Sequence, residues 1–305
     1  MPYTVQATFA PAHELVMSLD AYLVTTSHRN QDLGEAWAAA TRAALPPALA
    51  RRLEGLNGPP DFALLSPLIR QCPDQCSAAG FLDWLGRLSP GELYERLAPF
   101  TPPGAGLPPN LGEVRSQYHA TLSAWHEAYF SRIDPVILTA LAAEADAIQA
   151  LATQECAAHA VEEATNGIWL EETGAAVTVY LIPQYHKRPL YLHTAGPDSI
   201  TFYYPLPDLP TPAGEPPASL LRLTRTLADE SRLRILYILG EGPLTFSQVL
   251  ERSSLTKGTV SRHIWWLRFA GLVRAHYEGG SVQRFSLRPD AFSRVARALS
   301  RFAER

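Results

Sequence analysis

The stretch Thr256-Lys257-Gly258-Thr259-Val260-Ser261-Arg262-His263-Ile264-Trp265-Trp266-Leu267 most restricts how the last third of this 305-residue chain can fold. Val260, Ile264 and Leu267 recur at i, i+4 and i+7, which makes them the buried stripe of a helix. Thr256 stands directly before them as a cap. A short helical segment at 246–252 precedes, itself capped by Thr245. Two strand-like runs follow, 273–277 and 282–287, around the tip Glu278-Gly279-Gly280-Ser281. Helix, tight turn, helix and hairpin form the layout of a winged helix-turn-helix, which places its second helix in the major groove of DNA.

The charge distribution agrees with that layout only when the chain is divided. Taken whole, 26 Lys and Arg against 30 Asp and Glu give a net charge of −4. Residues 220–305 hold 15 basic and 7 acidic residues, a net of +8, which leaves −12 for residues 1–219. A basic module carried by an acidic one confines contact with a polyanion to one end.

Within the second helix, Lys257, Thr259, Ser261, Arg262 and His263 are left for the DNA side or its edges once the apolar stripe faces the core. Thr256 supplies a helix N-terminus whose amides favour a phosphate. Arg262 can make a bidentate contact to guanine. Arg284 sits on the hairpin, where it can grip the backbone. Gly279 and Gly280 let the tip approach the sugar-phosphate closely. Trp265 and Trp266 are assigned to packing, because duplex readers seldom stack on bases. Further helices are expected at 220–227 and 229–239. A last helix opens at Pro289, with Phe292, Val295, Leu299 and Phe302 at helical spacing.

Residues 220–299 resemble the ArsR-type winged-helix family of bacterial transcriptional regulators. The resemblance rests on Leu227-Ala228-Asp229-Glu230-Ser231-Arg232-Leu233-Arg234-Ile235-Leu236, on Thr259-Val260-Ser261-Arg262-His263-Ile264 and on Gly271-Leu272-Val273. It implies a homodimer packed through the first and last helices of the domain, with Phe292, Val295, Leu299 and Phe302 on the shared face. It also implies a pseudo-palindromic operator in double-stranded DNA, its half-sites ~10 bp or a multiple apart. Metal-sensing members carry Cys-x-Cys on a winged-domain helix, or Asp and His ligands on the last helix. Here the domain has no cysteine, and its histidines, His263 and His276, lie outside the last helix. That metal site is therefore not carried over, and no metal or cofactor is expected.

The upstream part reads as mostly helical. Leu15, Val16, Leu19, Leu23 and Val24 form one helical face, and two long helices are expected at 111–131 and 135–163. Runs at 177–182, 190–193 and 199–204 are β-branched and aromatic, and suggest an antiparallel meander. Six prolines between 205 and 217 make a stiff linker. The expected fold class is mainly α with small β elements (α+β). Its parts are an acidic domain at 1–207, a linker at 208–217 and a winged domain at 218–305. The apolar stretch 135–161 is broken by Glu144, Asp146 and Glu155, so it is read as an amphipathic helix and not a membrane span. The absence of a signal peptide and the presence of only three cysteines suggest a cytoplasmic chain.

The upstream part is also similar to a less characterised domain found ahead of ArsR-type winged helices. That similarity rests on Ala164-Thr165-Asn166-Gly167-Ile168 and on Ile182-Pro183-Gln184-Tyr185-His186-Lys187-Arg188-Pro189. Tyr185, His186, Arg188, Tyr191 and His193 fit a small-molecule effector pocket, a half-buried sheet core or a dimer surface. Cys72 and Cys76, separated by three residues, can bind zinc or form a redox disulfide, with Cys156 and His159 as distant candidates to complete a site. No nucleophile elbow, phosphate-cradling loop or His-Glu-x-x-His is present, so no enzyme is expected. The expected function is a dimeric DNA-binding repressor under effector or conformational control. A winged helix used for protein contacts and a metal or redox sensor are the alternatives.

Overall fold

A computed structural model describes residues 3–56, 58, 61–73, 77–101, 104, 106–171 and 177–304. The chain begins with β1 (Tyr3–Ala7), α1 (Pro11–Leu23), a 3-10 turn (Thr25–Asn30), α2 (Gly34–Ala44), α3 (Pro47–Glu54) and α4 (Phe62–Gln71). It continues through α5 (Ala78–Arg87), α6 (Pro90–Leu97), α7 (Leu111–Ala128), α8 (Pro135–Gln154) and α9 (Ala157–Ala164). Four strands follow: β2 (Ile168–Leu170), β3 (Val177–Gln184), β4 (Leu192–Ala195) and β5 (Ser199–Pro205). The last part comprises α10 (Ala218–Leu227), α11 (Glu230–Leu239), β6 (Leu244–Thr245), α12 (Phe246–Ser253), α13 (Lys257–Phe269), β7 (Val273–Glu278), β8 (Ser281–Leu287) and α14 (Ala291–Ala303). The class is α+β, with helices dominant.

Two compact units result. The helical unit holds residues 6–149 and 177–206. The winged unit holds 150–171 and 207–304, with residues 3–5. This division departs from the linear one expected of the sequence: residues 3–5 and, well upstream of the proline-rich stretch, α9 and β2 belong with the winged helix. The single helix expected at 135–163 is two. Cys156 is extended (φ −159°, ψ 153°), and its sulfur accepts from the His159 amide at 3.4 Å, so it caps α9 and ends the run of α8. No proline or glycine marks that break.

In the helical unit, α1 is the hub. Leu15, Val16 and Leu19 are fully buried, and they pack with Leu65, Phe81, Leu85, Leu122 and Trp125 from the helices around them. The capping box at Ser89–Glu92 starts α6, as Ser89 and Pro90 suggest. α8 is 20 residues long and holds an 18-residue window of mean hydropathy 1.4, long and apolar enough by length and composition to cross a membrane. It nonetheless carries Glu144 and Asp146 and buries the stripe Ile137, Leu141, Ala145 and Ile148.

The sheet of this unit has the order β1-β3-β5-β4, and only the last two residues of β1 belong to the unit. β3 and β5 pair in parallel, from Thr178↔Ser199 to Gln184↔Pro205, and β4 pairs antiparallel with β5 on its far side. The antiparallel meander is thus corrected. The segment after β3 does not turn straight back on it, because residues 184–190 are drawn inward by polar partners on α1 and β4 then folds onto β5. Ile200–Tyr204 are buried without alternation, as a strand covered on both faces requires.

Candidate nucleic-acid interface

In the winged unit, the signature Asp229-Glu230-Ser231-Arg232 has a mechanical reading. The Asp229 carboxylate accepts from the Arg232 amide at 3.1 Å and caps α11. The Arg232 guanidinium donates to the carbonyls of Thr226 (2.7 Å) and Arg225 (2.8 Å) at the end of α10. One tetrapeptide therefore satisfies orphan groups at two helix ends and fixes the α10–α11 corner. Next, Thr245 and Gln248 form a capping box at the start of α12. Ser254 turns the chain in the left-handed region (φ 54°), and Thr256 caps α13 by accepting from the Thr259 amide at 3.3 Å. Val260, Ile264 and Leu267 are buried, as their spacing requires.

Thr256, Lys257, Ser261 and Arg262 are exposed and Thr259 is half-buried. Neither Lys257 nor Arg262 is paired with a carboxylate among the described residues. His263 lies elsewhere: it is 5 % exposed, and its place on the DNA side is a correction. At 3.6 residues per turn, position 263 falls on the same stripe as 260, 264 and 267. Burial lowers its pKa, partly opposed by the charge of Asp229, and the ring packs with the core side of the helix. Trp265 meets Trp266 edge-on at 5.0 Å and Phe269 at 4.4 Å, both packing contacts.

The wing is a two-residue hairpin, with Glu278 opposite Ser281. Gly279 (φ 58°) and Gly280 (φ 88°) supply the two left-handed residues that a type I′ turn needs. β2 adds to this hairpin in parallel, pairing Ile168↔Ala275 through Leu170↔Tyr277, and the sheet order is β2-β7-β8-β6. The attachment is built at two glycines. Asn166 ends α9 in the left-handed region (φ 58°), and its amide donates to the Phe269 carbonyl at 3.1 Å. A side chain at Gly271 would collide with Asn166, and one at Gly167 would meet the Val273 carbonyl at 2.6 Å. The sequence motifs around Asn166-Gly167 and Gly271-Leu272-Val273 are therefore one joint.

Acidic residues of this arm pair with arginines of the wing and last helix. Glu162 takes a bidentate bond from Arg274 (2.7 and 2.8 Å), whose guanidinium also lies 4.1 Å over the Trp169 ring. Glu163 pairs with the buried Arg288 and with Arg294 at 2.9 Å. Glu171 meets His276 Nδ1 at 2.7 Å, and His276 Nε2 reaches the Ser286 hydroxyl at 2.9 Å. Glu171 also accepts from Arg284 at 3.4 Å, and Glu278 lies 4.0 Å from the same guanidinium. The wing arginine singled out from sequence is thus already paired. Nothing in the sequence near Glu171 signals this, since the partners are more than one hundred residues apart.

In the helical unit, part of the suggested effector stretch, around His186 and Lys187, forms a buried polar joint. The Glu14 carboxylate accepts from the amides of Tyr185 (3.1 Å) and His186 (3.0 Å) and from His186 Nδ1. His186 Nε2 is then the acceptor for the Tyr129 hydroxyl at 2.8 Å, which itself accepts from Trp37 at 2.9 Å. Lys187 is ion-paired with buried Asp20, whose pKa is raised by burial against the pull of that lysine. Arg188 lies 4.3 Å over the Tyr185 ring. Tyr191 is half-buried and His193 exposed on β4. None of these five lines the cavity around Tyr22 and Leu53, and the His186 and Lys187 side chains are taken up by Glu14, Tyr129 and Asp20. Cys72 is buried, whereas Cys76 lies outside the described residues, so the proposed cysteine pair does too. Among the described residues, no group of three or more His, Cys, Asp or Glu side chains is arranged to hold a metal ion.

Residues 229–275 match the family model described as "Bacterial regulatory protein, arsR family". The chain is similar to the HTH-type transcriptional regulator CmtR of Mycobacterium tuberculosis, 42% identical over 87 residues, which is 28% of this chain and 70% of that protein. It is also similar to the transcriptional activator HlyU of Vibrio cholerae, 34% identical over 65 residues, covering 21% of this chain and 60% of that one. Among solved structures, an ArsR-like transcriptional regulator from Rhodococcus sp. RHA1 aligns at 26% identity, with a TM-score of 0.26 and coverage of 28% of this chain and 81% of that chain.

Proposed function

The chain belongs to the ArsR family of bacterial regulatory proteins, and from that premise we propose that it is a cytoplasmic, homodimeric transcriptional repressor. α13 enters the major groove of a pseudo-palindromic operator, and the β7–β8 hairpin flanks it on the backbone. The observation that carries this reading is the first half of α13. There Lys257 and Arg262 stand exposed and uncompensated beside a helix N-terminus capped by Thr256. Apolar side chains left in water support the dimer. Phe292 is 61% and Leu299 46% exposed on α14, and Leu221 on α10 is 36% exposed. A second copy offering the same face would cover them.

Gel-shift titration on DNA from upstream of the gene, at two salt concentrations, tests the proposal. Binding that weakens steeply with salt and is lost in the Lys257→Ala, Arg262→Ala double variant is the expected result. No binding at low salt would overturn it and favour a winged helix used for protein contacts.

A further inference from the structure

We propose that a cavity of about 500 Å³ in the helical unit is a binding site for a neutral, largely apolar small molecule carrying one hydroxyl or carbonyl group. The volume is of the size that small-molecule sites occupy. The cavity is open because of local composition. α2 contributes only the short side chains of Ala38 and Ala39 to a wall shared with Tyr22 of α1 and Leu53 of α3, so α2 leaves the space between them unfilled. Leu23, Leu53 and Leu56 supply most of the apolar wall, Thr25 adds one hydroxyl-bearing side chain, and the Tyr22 ring is held by Trp125 (5.1 Å between centroids) and by Trp37 (6.5 Å). A wall fixed in this way presents its face to a ligand without ordering cost.

One end of the cavity is polar. Arg42 and Glu54 form an ion pair at 2.6 Å, and both line the space. Tyr22 lines it too, and its hydroxyl makes no hydrogen bond to a described residue. His28 also lines the space, its Nε2 donating to the Ala21 carbonyl at 2.9 Å. The two charges cancel. A ligand with a net charge would set one of them against a like charge and disrupt the pair, whereas a hydroxyl or carbonyl can join Tyr22 without disturbing either. The chemistry that fits is an aromatic or alicyclic body with a single neutral polar end.

This site is independent of the DNA-binding reading, since a failed gel shift leaves it intact and its own failure leaves the gel shift intact. The test is calorimetric titration of the full chain with 2-naphthol, and with 2-naphthoate as the charged counterpart of similar body. The expected result is saturable binding of one 2-naphthol per chain, with 2-naphthoate at least tenfold weaker. Ala38→Trp and Ala39→Trp fill the cavity and should each weaken 2-naphthol at least tenfold. Ala39 is exposed, so its variant folds even where Ala38→Trp does not, and urea midpoints verify both. Tyr22→Phe should weaken 2-naphthol about fivefold, the worth of one hydrogen bond. No saturable binding, or affinity unchanged in the folded tryptophan variants, overturns the site. Tighter binding of 2-naphthoate overturns the ligand class.

Discussion

Gly167→Ala tests whether the arm before the helical unit's sheet is structurally part of the winged helix. Gly167 (φ 122°) and Gly242 (φ 138°) lie in the same unit, and both occupy backbone that an L-residue adopts only under strain, worth ~1–3 kcal/mol at each. They differ in surroundings. At Gly242 an added Cβ meets nothing within 4 Å, whereas at Gly167 it would stand 2.6 Å from the Val273 carbonyl oxygen. Relief requires β2 to retreat from β7. That breaks the 2.7 Å bond from the Ala275 amide to the Gly167 carbonyl and loosens the seam over Ile168 and Leu170, which are 1% and 3% exposed. One lost hydrogen bond costs ~1 kcal/mol, and partial exposure of two large apolar side chains ~1–2 kcal/mol more. Gly167→Ala should therefore cost ~2–3 kcal/mol beyond Gly242→Ala. Amide hydrogen exchange by mass spectrometry reads this locally, where global unfolding of a two-unit chain does not. Peptides over β2 and β7 should exchange ~30–150-fold faster in Gly167→Ala than in Gly242→Ala. Equal exchange in the two variants would show that β2 is not locked to the hairpin and that the winged module begins after the proline-rich stretch.

Three other outcomes are expected. Arg262→Ala should cost ~1–3 kcal/mol at one operator position and relax specificity there, read by gel shift on operator variants; uniform loss across sequences would make it a backbone contact. Glu171→Gln frees Arg284 from its nearer partner, so DNA affinity measured by fluorescence anisotropy should rise several-fold at low salt, with a steeper salt slope. Unchanged affinity would mean that Arg284 does not reach the duplex. Burial lifts the Glu144 pKa to about 7. A carboxyl whose folded pKa exceeds its unfolded value costs nothing below the unfolded pKa near 4.5, and costs progressively more as pH rises through 7. Glu144→Gln should therefore be more stable than the natural chain at pH 8, by up to ~3 kcal/mol, with no difference at pH 4. Equal urea midpoints at pH 8 would refute the burial of that charge.

The winged helix was legible because its signals are local. A cap, an i, i+4, i+7 stripe and a Gly-Gly tip each act within a few residues, and α12, α13, β7 and β8 lie close to where spacing puts them. His263 was misplaced because its polarity outweighed its position, although position 263 is a stripe position. The strands β1, β2 and β6 were missed because two to five residues carry too little pattern to rise above loops. The β3–β5 pairing was misread for a different reason. Consecutive strands suggest a meander, yet Glu14 and Asp20, some 170 residues away, hold the Gln184–Leu190 turn inward. The role of residues 185–188 was equally illegible, since aromatic and hydrogen-bonding groups look alike whether they line a cavity or satisfy one another. The cavity that does exist is lined by alanines, whose shortness is visible only once the helices are packed.

The arm also changes how the charge of the winged unit is to be understood. The segment from 157 to 171 carries Glu162, Glu163 and Glu171 and no lysine or arginine, so it lowers the +8 of residues 220–305 to +5. The subtraction is not uniform. Arg274, Arg288 and Arg294 are taken up by Glu162 and Glu163, and Arg284 and His276 by Glu171. Arg252 on α12 is paired with Glu241 and Arg234 on α11 with Glu230. Lys257 and Arg262, near the start of α13, have no carboxylate partner among the described residues. A polyanion approaching this unit is attracted by the charge that remains unpaired. The acidic arm therefore neutralises the wing and the start of α14, and it does so with groups that also anchor β2 to the wing. Removing Glu162 and Glu163 should accordingly raise salt-dependent, sequence-independent DNA binding while leaving operator preference lower, because more of the surface then competes for phosphate.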